Sequence, residues 1–329
     1  MLFVRTPLHF YLLRALLGLA EAGFFPGIVY YLSLWFPAAQ RARALSRFIT
    51  AVPLSAMIGN PLGGWLLGFD GTLGLRGWQW VFLVEGIPSV LLGLVTLRFL
   101  TDRPEQARWL SAEQRDWLVA RLRRDEDASA APHGLPGLRA LAHPVVWLAC
   151  TMYFLYGMTF YGYTFWAPII VRETLGVDAV ATGLITGLMA CLAVVAMLAV
   201  GASSDRTGER FLHMTAGLAL VVIGYLGAAL MPTPIGRVVG LALVLAGDMS
   251  FVVPFWCLPS TLLRGAAAAA GIALVNAIGN LGGFFAPYLI GRVRDATGGT
   301  AGGFLALAAC GAVSGVLVLV LRQRSGARA

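Results

Sequence analysis

The sequence predicts an all-α polytopic membrane protein with nine spans. Of its 329 residues, 58% are hydrophobic and 12% charged, against about 45–50% and about 25% in soluble domains. Mean hydropathy is +0.78. The apolar residues lie in long unbroken runs, whereas a membrane β-barrel shows short alternating segments. Disorder is excluded, because it needs low hydrophobicity with high net charge.

A span needs about 20 mostly apolar residues. Runs of that kind occupy 11–35, 47–68, 79–100, 145–171, 179–202, 212–231, 238–258, 267–291 and 302–321. Pro26, Pro53, Pro61, Pro88, Pro168, Pro254 and Pro287 fall inside them. Neighbouring helices and water can satisfy the backbone groups these prolines free, so they do not exclude a span. The longest connection, 101–144, divides the spans three and six. Residues 1–100 form one half, 101–144 a linker and 145–329 a six-span half. Within the linker, Pro104 to Asp127 is expected to be a surface amphipathic helix, with Trp109, Leu110, Trp117, Leu118 and Leu122 among mixed charges.

The net charge of +8 comes from 24 arginines against 16 acids, with no lysine. Most arginine lies beside apolar spans. The positive-inside rule therefore accounts for it better than a nucleic-acid partner does. Alternate connections carry sixteen arginines on one side and six on the other. The richer side includes the tail 322–329, which places the carboxy-terminus in the cytoplasm and the protein in the inner (plasma) membrane, with lipid as its surroundings. Residue 1 then falls outside. Residues 1–10 do not form a cleavable signal peptide, and an odd number of absent preceding spans is the simplest reconciliation.

A repeat points the same way. Trp35-Phe36-Pro37 followed by Ile58-Gly59-Asn60-Pro61-Leu62-Gly63-Gly64 resembles Trp256-Cys257-Leu258-Pro259 followed by Ile278-Gly279-Asn280-Leu281-Gly282-Gly283. Trp35 and Asn60 are 25 residues apart, Trp256 and Asn280 24. Span one is thus expected to correspond to span seven, the fourth of its half, with three further helices expected ahead of it.

Charges inside spans are the most informative residues, since an Arg or Asp at the bilayer centre costs about 2.5–3.5 kcal/mol. Four stand out: Arg14, Glu21, Glu85 and Asp248. Arg14 and Glu21 are seven residues apart, nearly two turns, and share a helical face with Gly18 between them. Arg14 offers a planar fork suited to a carboxylate. Glu21 offers a titratable group, and the same pair would also serve as interhelical ties. Asn276 and Asn280, four apart, share another face and suit either substrate hydrogen bonds or helix bridging. Glu85, near a span end, reads as structural pairing. Asp248 has no partner visible in sequence and reads as either structural or a second protonatable site. The aromatics Tyr153, Tyr156, Tyr161, Tyr163, Phe165 and Trp166 read mainly as packing, with one or two lining a cavity.

Gly201-Ala-Ser-Ser-Asp205-Arg206-Thr-Gly208-Glu209-Arg210 is expected to be a tight cytoplasmic turn. Asp205, Arg206 and Arg210 can there engage helix ends in one conformation and release them in another, as a gate does. Cys150, Cys191, Cys257 and Cys310 each sit in an apolar run without a CxxC pair. No disulfide, metal or cofactor is expected. The four histidines, His9, His133, His143 and His213, are scattered on different elements, which gives no basis for an enzyme. A channel would need a ring of like charges.

The Gly201–Arg210 segment resembles the loop signature of the major facilitator superfamily. Arg14-Ala-Leu-Leu-Gly-Leu-Ala-Glu21-Ala-Gly-Phe-Phe-Pro-Gly-Ile, Gly77-Trp-Gln-Trp-Val-Phe-Leu-Val-Glu85-Gly-Ile-Pro and Ala270-Gly-Ile-Ala-Leu-Val-Asn276-Ala-Ile-Gly-Asn280-Leu-Gly-Gly-Phe resemble its anion:cation symporter family. The resemblance implies a major facilitator fold lacking its first three helices. It implies proton-coupled symport of a small organic anion, a sugar acid, dicarboxylate or aromatic acid, by alternating access. By the same resemblance Arg14 binds the anion, Glu21 couples the proton, and Asn276 or, as the weaker match, Asn280 lies in the substrate site. Asp248 is outside the pattern. The alternative expectation is a truncated, non-transporting membrane fragment of such a carrier.

Overall fold

The structure is a computed structural model. It describes residues 2–129, 144–257 and 266–326, excluding the side chains of 26, 38–39, 41–43, 46, 126–129, 205, 257, 266–270 and 324–326. Thirteen α-helices run through the described residues: α1 Pro7–Glu21, α2 Phe24–Trp35, α3 Ala38–Ile49, α4 Ala51–Leu67, α5 Gly77–Phe99, α6 Ala112–Ser129, α7 Pro144–Leu175, α8 Ala179–Thr207, α9 Phe211–Leu230, α10 Pro234–Cys257, α11 Ala266–Asn280, α12 Gly282–Thr297 and α13 Ala301–Gly326.

Seven helical stretches are long and apolar enough to cross a membrane among the described residues: Gly77–Phe99, Pro144–Leu175, Ala179–Ser204, Phe211–Leu230, Pro234–Trp256, Gly271–Thr297 and Ala301–Gln323. They match the third to ninth predicted spans. The first two differ. Span 11–35 is two helices of 15 and 12 residues that part after Glu21. Pro26 has no N–H to give the carbonyl of Ala22, so the helical ladder fails there. Span 47–68 is the 17-residue α4, separated from α3 at Thr50. Pro53 likewise cannot serve the carbonyl of Ile49.

The chain divides into two compact units. The first takes residues 1–48 and 63–134, the second 49–62 and 135–329. In the first, α2 is held by the connection that leaves α5. Tyr31 Oη donates to the carbonyl of Thr101 at 3.1 Å, and Trp35 stacks on Trp109 with ring centroids 5.6 Å apart. The linker helix begins at Ala112, later than the predicted Pro104. Ser111 sets its start: its Oγ accepts from Gln114 N at 3.2 Å, while Gln114 Oε1 accepts from Ser111 N at 3.1 Å, a reciprocal cap that satisfies two orphan donors. The linker beyond 129, to 143, lies outside the described residues.

In the second unit the helices approach through glycine. Gly217 and Gly224 of α9 face Gly247 and Gly240 of α10 so closely that an added Cβ would meet backbone at 2.5–2.9 Å. Small residues let membrane helices gain contact where lipid supplies no hydrophobic drive. The core between them holds Tyr225, Phe251, Phe255, Phe304, Met214 and Leu241, all fully buried. Pro61 of α4 belongs to this unit and lies against Gly187 of α8.

Candidate functional site

In the first unit, α1 carries Arg14 and Glu21. Thr6 starts the helix, its Oγ1 accepting from His9 N at 3.2 Å, and Pro7 follows at the first helical position, where a missing N–H costs nothing. None of the helix's residues is buried. Arg14 and Glu21 are both exposed, and neither makes a hydrogen bond or ion pair among the described residues. Seven residues of helix separate them by about 10 Å along the axis. A Cβ on Gly18, between them, would meet nothing within 4 Å. Glu21 is the last residue of its helix. A carboxylate there opposes the negative end of the helix dipole, and local rules broken in this way concentrate at functional sites. Glu85 turns its carboxyl toward α4, 3.7 Å from where a Cβ on Gly63 would stand. It makes no ion pair among the described residues.

In the second unit, Asn276 is half-buried on α11 and Asn280 is exposed at its end. Tyr161 of α7 donates its hydroxyl to Asn280 Oδ1 at 2.8 Å. That bond uses the amide oxygen of Asn280 and not its NH₂. Behind it Tyr153 stacks on Phe255, centroids 5.0 Å apart, and on Tyr156 at 5.2 Å. The ring of Tyr153 occupies the space a side chain at Gly279 would need. Most aromatics of α7 are therefore packing, with Tyr161 at the edge.

The segment 201–210 departs from expectation. α8 continues to Thr207, so Asp205 and Arg206 sit in its last helical turn and not in a loop. No residue between Gly201 and Gly208 breaks the helix. Gly208 ends it at φ 69°, its N–H donating to the carbonyl of Ser204, as a left-handed cap requires. The side chain of Asp205 lies outside the described residues. Arg206 is exposed and Arg210 half-buried. Of the carboxylates in the predicted segment, Glu209 is seen to dock on a helix start. Glu209 Oε1 accepts from Leu212 N at 3.0 Å and lies 3.7 Å from Arg322 Nε on α13. His213 joins them, its ring bonded to Ser203 Oγ at 2.9 Å and to the carbonyl of Glu209. A second tie, between α12 and α7, places Arg294 2.8 Å from Glu173 and over the ring of Trp166.

Residues 1–287 match the Major Facilitator Superfamily. A protein of Agrobacterium vitis that carries the provisional name of tartrate transporter is 42% identical over 330 residues, covering 99% of this chain and 72% of that one. A quinolone resistance transporter of Acinetobacter baumannii is 38% identical over 304 residues, covering 92% of this chain and 70% of its own. Among solved structures, the proton:xylose symporter XylE bound to 6-bromo-6-deoxy-D-glucose superposes with a TM-score of 0.68 at 16% identity, over 88% of this chain and 66% of that chain. At that identity the likeness speaks for the fold alone. The chain belongs to the Major Facilitator Superfamily and is a multi-pass membrane transport protein, not an enzyme.

Proposed function

We propose that the protein is a secondary carrier that moves a small organic anion together with a proton by alternating access. Arg14 grips a carboxylate of the substrate through its paired guanidinium donors. Glu21, two turns along, carries the proton. Asn276 and Asn280, on the second unit, offer amides that bond hydroxyl or carboxylate oxygens of a solute. Asp205, Arg206 and Arg210 make and break the cytoplasmic gate at the end of α8. The first half, 1–100, supplies three spans, with α1–α2 and α4 filling two of those places. Residues 101–144 link it to the six spans of 145–329, and the carboxy-terminus faces the cytoplasm of the inner membrane.

The observation that carries this reading is that Arg14 and Glu21 share one face of α1 while neither commits its charge to a partner among the described residues. The tartrate name of the Agrobacterium vitis relative supports a dicarboxylate or sugar acid. Reconstituted vesicles test it with labelled tartrate. Counterflow reports binding and translocation, and accumulation under an inwardly directed proton gradient reports coupling. Equilibration without any accumulation refutes symport.

A further inference from the structure

Asp248 stands at mid-length of α10 and is fully buried. Its Oδ1 is 2.8 Å from Oγ1 of Thr159 on α7. That same Oγ1 is 2.8 Å from the carbonyl oxygen of Tyr156. A threonine hydroxyl has one hydrogen, and a carbonyl can only accept. If the hydrogen serves Tyr156, the contact with Asp248 exists only when the carboxyl supplies a hydrogen of its own.

The surroundings favour that arrangement. Oδ2 has no hydrogen-bond partner among the described residues, and Asp248 makes no ion pair among them. A buried carboxylate needs a cation or several donors to replace its lost hydration. Here the neighbouring hydroxyls are committed elsewhere. Tyr225 of α9 donates to the carbonyl of Thr159, and Tyr163 of α7 reaches Met189 Sδ of α8 at 3.5 Å. The titratable groups facing Asp248 are Tyr156 and Tyr163 on α7 and Tyr225 on α9. From α8 no charged group acts on it among the described residues.

We propose that Asp248 is a proton-binding site within the second unit, holding a neutral carboxylic acid whose hydroxyl donates to Thr159 Oγ1, which in turn donates to the carbonyl of Tyr156. This relay ties α10 to α7. Loss of the proton removes the donor and leaves an unpaired buried charge, so the proton leaves only when water reaches the α7–α10 contact. The site does not depend on the roles of Arg14 and Glu21, and a chain that transports nothing would still contain it.

Infrared spectroscopy of the full purified chain tests it. At neutral pH the protein should show the carbonyl stretch of a protonated carboxylic acid. The band should vanish in Asp248→Asn, persist in Glu21→Gln and Glu85→Gln, and move toward the frequency of an unbonded acid in Thr159→Val. Thr159→Val keeps the assignment open to refutation if Asp248→Asn does not fold. Asp248→Asn, which mimics the neutral acid in shape, should melt within a few degrees of the parent protein. Absence of an acid band in the parent protein, its loss in Glu85→Gln instead, or an unmoved band in Thr159→Val overturns the proposal.

Discussion

Gly157 on α7 and Gly282 on α12 press backbone to backbone: a Cβ on Gly282 would stand 2.5 Å from the carbonyl carbon of Gly157. No side chain there can rotate away, so the helices themselves must part. Gly282→Val should destabilise the protein by about 1–3 kcal/mol, the usual cost of overpacking, read as a lower melting temperature in detergent. Gly93→Ala on α5, where a Cβ meets nothing within 4 Å, should leave the melting temperature unchanged or raise it, since Ala is the better helix former.

Arg14 is exposed and without an ion pair among the described residues. Its removal should therefore spare stability and strike binding. Arg14→Ala should weaken substrate binding by about 1.5–3 kcal/mol, the range for a charged hydrogen bond, or about tenfold or more in affinity. Arg14→Lys should not restore it, because an ammonium lacks the planar fork. Equilibrium binding of labelled tartrate to purified protein measures both. An equal loss of melting temperature would point to a structural tie.

Glu21→Gln keeps the shape of the side chain but removes its capacity to release a proton. Counterflow should continue, and accumulation driven by a proton gradient should fall to the equilibrium level. Accumulation that survives the substitution moves the coupling role elsewhere.

The bond from Tyr161 to Asn280 spans 119 residues of sequence and 2.8 Å of space. Tyr161→Phe and Asn280→Ala should each cost about 0.5–1.5 kcal/mol. The double variant should cost less than the sum of the two, a coupling that a double-mutant cycle on melting or on substrate affinity reveals.

Glu209 serves two partners at once, the N–H of Leu212 and Arg322. Arg322→Ala removes an exposed pair worth about 0–1 kcal/mol and should scarcely move the melting temperature. Glu209→Ala also removes a helix cap, worth about 0.5–2 kcal/mol, and should move it further. Identical effects of the two would mean that the cap contributes nothing.

Much of the fold was legible because lipid imposes a length and a hydrophobicity on every crossing. Helices α5, α7 to α10 and α13, and the pair α11–α12, fall where the apolar runs lie. The breaks at Ala22–Gly23 and Thr50 were harder to read. Pro26 and Pro53 were visible, but a proline inside a span either kinks a helix or ends it, and only its neighbours settle which. The helical status of Asp205 and Arg206 was misread for a related reason. Glycine, serine and charge suggest a turn, yet the chain continues its helix until a residue actually takes a left-handed conformation, and that residue is Gly208.

The one-dimensional pattern was enough to establish a helical membrane protein and to place Arg14 and Glu21 on a common face. Those properties depend on composition and on the 3.6-residue turn, which act locally. Pairings between distant positions needed the folded chain: Asp248 with Thr159, Asn280 with Tyr161, Glu209 with Arg322. No local period reports which two helix faces meet. That outcome is set by how glycine gaps and bulky aromatics interlock across helices, a matter of volume in three dimensions.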